Sequence, residues 1–139
     1  MSTPLKAGFL LFILSIIFAS ACTTPKERPP RPCQQWNVSG TWSISQSNGF
    51  SITFIVQQKQ DALMGTADNG SGPVPVVGTL RDNQLAMTVS WAWGGAGRYT
   101  ATMSPSGQLI EGFTQNLSIP SSTATWSTVD QFECTKRSR

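Results

Sequence analysis

The 139-residue sequence predicts an all-β protein built as an eight-stranded antiparallel up-and-down (meander) closed barrel. Three observations carry that prediction. Apolar and polar residues alternate with a two-residue period in segment after segment, the mark of strands with one buried and one wet face. Turn signals punctuate the chain at intervals of about 8–12 residues with no helix between them. After Cys22 no apolar set recurs at i, i+3, i+4 for more than one turn, and Ser, Thr and Gly are abundant.

Taken in order, the eight predicted strands are Val38–Ser45, Phe50–Gln57, Ala62–Asp68, Val74–Leu80, Gln84–Trp93, Gly97–Ser104, Gln108–Asn116 and Thr123–Gln131. The first, VSGTWSIS, sets Val38, Gly40, Trp42 and Ile44 against four hydroxylic residues. In the second, Phe50, Ile52, Phe54 and Val56 share a face. In the fifth, Leu85, Met87, Val89, Trp91 and Trp93 share one. The connections Ser47-Asn48-Gly49, Asn69-Gly70-Ser71-Gly72, Arg81-Asp82-Asn83 and Gly94-Gly95-Ala96 supply the residues that tolerate the positive φ of tight hairpins. Gly40-Thr41-Trp42, Gly65-Thr66-Ala67 and Gly78-Thr79-Leu80 echo one another. Glycine inside a strand marks a bend or a close backbone approach, as barrel corners need.

The N-terminus has a different character. Lys6 precedes the apolar run Gly8–Phe18, and Ala19-Ser20-Ala21-Cys22 follows it. Charged start, apolar middle and small-residue end make residues 1–21 a secretory signal. At 11 residues the run is short for a membrane span, which needs roughly 20. Ala19-Ser20-Ala21-Cys22 resembles the lipobox of bacterial lipoproteins, with Ala19 where that family more often has Leu. The resemblance implies cleavage before Cys22, acylation of Cys22 and stable anchoring by several acyl chains. It also implies a cell-envelope location. Thr23 in place of Asp after the cysteine points to the outer membrane rather than the inner. Residues 22–32, with four prolines and no large apolar residue, form an extended tether of some 30 Å.

With Cys22 acylated, Cys33 and Cys134 remain, in an oxidising compartment. In an eight-strand meander the start of the first strand meets the end of the last, which brings these two cysteines together as a disulfide. An odd strand count would place them on opposite rims. The domain is expected over residues 33–134, followed by a basic tail, 135–139. From Cys33 onward six bases face six acids, and Lys136, Arg137 and Arg139 are half of those bases. Without a basic face on the domain, nucleic acid is not an expected partner. A membrane-spanning barrel fits less well, because several strands are short and offer Gly65, Ala67, Gly78, Gly97 and Ala101 on the apolar face.

Gly40-Thr41-Trp42 opening a meander of eight short strands resembles the lipocalin and avidin group of binding barrels. Thr88-Val89-Ser90-Trp91 and Ala124-Thr125-Trp126-Ser127-Thr128 resemble the Trp-bearing later strands of avidins. The resemblance implies a barrel that holds a small apolar or aromatic ligand. It transfers no individual binding residue. Gly95-Ala96-Gly97-Arg98-Tyr99 resembles a Gly-Ala-Arg-Tyr segment of periplasmic lysozyme inhibitors, without that motif's flanking Ser and Lys. This second resemblance implies an envelope-protein partner instead.

Catalytic chemistry has little to stand on. There is no histidine, no nucleophile elbow and no phosphate loop, and two isolated cysteines cannot make a zinc site. No metal, cofactor or catalytic residue is expected, and the chain reads as a non-enzyme. Glu111 alone lies mid-strand, in phase with Leu109 and Phe113. An outer-face carboxylate is the plainer reading there, a buried functional acid the sharper one. The functional candidates are aromatic: Trp42, Trp91, Trp93, Tyr99 and Trp126. They fill the core, or some of them form a stacking surface at the barrel mouth near Trp93. If Phe50, Phe54, Met87, Trp42, Trp91 and Trp126 all point inward, an eight-stranded barrel has little cavity left. Trp42 is then expected to plug the closed end.

Overall fold

The computed structural model describes residues 28, 29 and 31–137. Residues 1–21, expected to be a signal segment, and Cys22, the expected site of acylation, lie outside the described residues. Ten strands are present: β1 (Cys33–Asn37), β2 (Gly40–Gln46), β3 (Ser51–Lys59), β4 (Ala62–Asp68), β5 (Val74–Arg81), β6 (Gln84–Ser90), β7 (Ala96–Met103), β8 (Leu109–Asn116), β9 (Thr123–Ser127) and β10 (Glu133–Arg137). Strands β2 to β9 close into a barrel in strict sequence order, every neighbour antiparallel. This is the predicted eight-stranded meander, with the connectivity of a lipocalin-like barrel. The predicted strands map onto β2–β9 one for one.

Alternation along each strand fills the interior. Trp42 and Ile44 of β2, Ile52, Phe54 and Val56 of β3, Leu85, Met87 and Val89 of β6, and Tyr99, Ala101 and Met103 of β7 are all buried. Burying an aliphatic or aromatic side chain of this size is worth about 1.5–3 kcal/mol, so the register that keeps this set inside is strongly favoured. Turn chemistry agrees with it. Asp82 and Asn83 both have positive φ (49° and 64°) and join the paired residues Arg81 and Gln84, as a primed two-residue hairpin requires. The glycine echo divides. At Gly65 and Gly78 an added Cβ would collide with a backbone carbonyl of the adjacent strand, that of Ile55 and of Ala86 respectively. Those two glycines are demanded by close approach. Gly40 instead has a φ of 121° with open space around it.

The disulfide Cys33–Cys134 is formed, with a Cα separation of 5.8 Å. It does not sit on the barrel's first and last strands, however. The chain steps out of the barrel at both ends, and β1 and β10 make a separate antiparallel ribbon that carries the bond. Three residues assigned to the basic tail, Thr135, Lys136 and Arg137, therefore belong to a strand.

The ribbon caps one end of the barrel, called the base here. Trp36 is buried there, and its Nε1 donates to Asn83 Oδ1 at 2.9 Å. Gln58 staples the entry to β2 by accepting from the Val38 amide (2.8 Å) and donating to the Trp36 carbonyl (2.9 Å). Trp42 packs on Phe54 and meets the edge of Phe132, with ring centroids 4.7 and 5.5 Å apart. Its Nε1 donates to the Val38 carbonyl at 3.1 Å. Trp42 thus packs at the base of the barrel.

Candidate functional site

The end opposite the ribbon, the mouth, is formed by four connections: residues 47–50, 69–73, 91–95 and 117–122. None of them contains a charged residue. The ionisable groups of the connecting segments, Asp61, Asp82 and Asp130, and those of the ribbon, Glu133, Lys136 and Arg137, lie at the base. Between the mouth connections a cavity of about 160 Å³ opens into the barrel.

Its depth comes from the strands. The inward parity of β2 that buries Trp42 and Ile44 also brings in Gln46, and that of β3 brings in Ile52. Strand β7 contributes Gly97 and Tyr99, β8 contributes Thr114, and β9 contributes Ala124. Tyr99 is 2% exposed and packs edge-on against Phe54, with centroids 5.8 Å apart. Burial pushes its hydroxyl pKa up to about 12, against a smaller opposing pull from hydrogen bonds to the Trp91 and Gln46 side chains. The phenol is consequently a neutral donor at any physiological pH. Thr114 is 9% exposed, and its Oγ1 is buried without a hydrogen-bond partner. An orphan of that kind costs about 1–3 kcal/mol.

One wall is aromatic. Trp91 follows directly on β6, and a tight turn closes after it, with the Trp91 amide donating to the Gly95 carbonyl at 2.9 Å and Gly94 at a φ of 85°. The turn folds Trp93 back over Trp91, so that the indoles stack at 5.1 Å and 6°. Trp91 is buried, while Trp93 is 61% exposed. The sequence placed both on the inner face of one strand. The chain leaves the β6 ladder at Ser90, and beyond it alternation no longer decides which way a side chain points. Phe50, also expected inside, is 57% exposed because it precedes β3 and belongs to the mouth rim.

Asn48, Asn69 and Asn116 line the rim. Each accepts at its Oδ1 from a backbone amide two residues ahead, at 3.3, 3.2 and 2.9 Å, which leaves its N–H groups and, at Asn48 and Asn69, a second lone pair. No lining residue other than Tyr99 is ionisable. Among the described residues no group of three or more metal-ligating side chains converges.

Of the five aromatic candidates, Trp91, Trp93 and Tyr99 meet at this cavity. Trp42 lies at the base. Trp126 is buried beside the seam between β8, β9 and β2, with its Nε1 unpaired, and borders a shallow outer depression. Sequence reasoning missed Gln46 and Thr114. For Gln46 the signal was present, since it continues the phase of Trp42 and Ile44. For Thr114 a β-bulge hid it. Glu111 adopts a φ of 54°, and the β7–β8 register shifts between Thr100 and Thr102. With Glu111 and Gly112 set against one residue of β7, the phase of β8 flips. Phe113, in phase with Leu109 by simple counting, turns outward, and Thr114 turns inward. Gly112 makes room for Trp126, into whose indole and carbonyl an added Cβ would run. Glu111 itself is exposed, on the outer face.

Fold and site together define a closed meander barrel with a filled base and a small, uncharged, half-open pocket at its mouth. Comparison of the chain with family models, with curated proteins and with solved structures finds no match.

Proposed function

We propose that this protein is a non-catalytic small-ligand-binding barrel, held at the cell envelope by a lipid on Cys22. The observation that carries the reading is the mouth cavity: about 160 Å³, walled by Trp91 and Trp93 and floored by Tyr99, Gln46 and the unpartnered Thr114 hydroxyl. Sites that take small molecules are concave and largely apolar, with a few placed polar groups. Native mass spectrometry of protein purified from its host should show a bound small mass; repeated clean apo spectra would count against the reading. Replacing Cys22 by Ser should release the protein from the membrane fraction, and unchanged fractionation would refute the anchor.

A second reading draws on a different observation. Phe50, Trp93, Leu117 and Ile119 are exposed around the mouth, and exposed apolar groups of this kind mark interaction surfaces. They suit an envelope protein as partner, such as a periplasmic enzyme to be inhibited. Pull-down from envelope extract should then recover a stoichiometric partner that Trp93→Ala and Ile119→Ser abolish.

A further inference from the structure

We infer that the mouth pocket takes one neutral aromatic ring carrying a single hydroxyl or amide group, with that group bonded to Thr114 Oγ1 and the ring against the indoles of the wall. This rests on the reading of the barrel as a small-ligand binder and names the class of ligand.

Volume sets the size. A cavity of about 150 Å³ holds one benzene ring, and here about 160 Å³ is open. An acyl chain or a fused polycycle would extend past this volume into the solvent at the mouth. Charge sets the state of the ligand. The lining holds Gln, Asn, Ser, Thr, Trp and aliphatic side chains, with Tyr99 as its one titratable group, so a carboxylate or an ammonium would be desolvated with no counter-charge.

The polar atoms set the number of functional groups. At depth, the Trp91 and Gln46 side chains are turned toward the Tyr99 hydroxyl. Thr114, a residue 91% buried, has an Oγ1 with no hydrogen-bond partner. A sugar ring would bring four or five hydroxyls, and those beyond reach of the rim amides would be left unsatisfied at depth, each at a cost. A ring with one polar group leaves none. Trp91 supplies a buried aromatic face, and Trp93, stacked on it and open to solvent, is the part of the wall that a ligand passes on entry.

The test uses the full chain in detergent, with detergent-only blanks, and follows backbone amide shifts of residues 46, 91–99 and 114. The probes are benzyl alcohol, benzamide, toluene, benzoate, benzylamine, methyl glucoside and laurate. Benzyl alcohol and benzamide should bind saturably at millimolar concentration or below, at least about tenfold more tightly than benzoate or benzylamine. Thr114→Val should weaken benzyl alcohol about three- to tenfold, the loss of one hydrogen bond, and leave toluene within about twofold. An equal loss for both probes would mean a merely structural role and would overturn the assignment. Benzoate, benzylamine or methyl glucoside binding as well as benzyl alcohol would overturn the ligand class. If laurate binds, or a native mass spectrum shows a retained host molecule, while the neutral rings do not, the class is wrong and the binding reading survives. If no probe binds and the host-purified protein is clean, both fall.

Discussion

Removing the Cys33–Cys134 bridge should cost far more than its position on a small ribbon suggests. Around the barrel most neighbouring strands share six or seven register pairs, but β2 and β9 share two, Ser45 with Ser127 and Gln46 with Trp126. Beyond Ser127 the edge of β2 is met by side chains rather than by a strand, as where Asp130 Oδ2 accepts from the Ser43 amide at 3.4 Å. The ring is therefore closed by a short seam, and the ribbon that ties both chain ends across the base backs it up. The bridged residues are 101 apart in sequence. Chain entropy for a loop of that length gives roughly 4.7 kcal/mol at 25 °C. For a domain of this size, with an unfolding entropy near 2.1 cal/mol/K per residue, that corresponds to a fall in Tm of about 20 °C. The assay is denaturant and thermal unfolding of Cys33→Ser/Cys134→Ser beside the parent, with amide exchange resolved by strand. Exchange should quicken first in Thr123–Ser127 and last in β6 and β7. A loss below about 1 kcal/mol, or uniform exchange around the ring, would refute the view that the seam depends on the bridge.

Other residues give independent checks. Tyr99 is the only tyrosine in the chain, so absorbance at 295 nm reads its ionisation alone, and the midpoint should lie near pH 12. Because the folded pKa stands above the unfolded value, its contribution is fully present below about pH 10 and is lost as pH rises from there through 12. The loss should reach about 2–3 kcal/mol, and a midpoint near 10 in the folded protein would place the phenol in water. Gly112→Ala forces a side chain into Trp126 and should destabilise by about 1–3 kcal/mol while shifting tryptophan emission; a silent substitution would contradict the bulge geometry. Thr114→Val removes the orphan hydroxyl at nearly constant shape and should leave the empty protein as stable or up to about 1–3 kcal/mol more so. A clear loss of stability would mean that the hydroxyl has a partner.

The barrel was legible because its strands are buried on one face, and burial writes a two-residue period into the chain. The closing geometry was legible because Cys33 and Cys134 flank an even number of strands. The pocket was only half legible, and the reasons are local. Alternation holds while backbone pairing holds. Trp93 lies three residues past the end of the β6 ladder, where a turn sets its direction, and Phe50 lies one residue ahead of β3. Thr114 lies beyond a bulge in which Gly112 clears an indole from β9, and no pattern within β8 records that contact. The ribbon was missed because CQQWN and ECTKR bury little besides Trp36 and carry no alternation.

The most direct measurement is an experimental structure, at a resolution that distinguishes a ring from water, of the protein purified from its own host. The account predicts ring-shaped density in the mouth, against the Trp91 and Trp93 wall, with one polar atom within hydrogen-bond distance of Thr114 Oγ1. Water alone in the pocket of a sample that is clean by mass spectrometry, or a ligand bound elsewhere on the molecule, would contradict it.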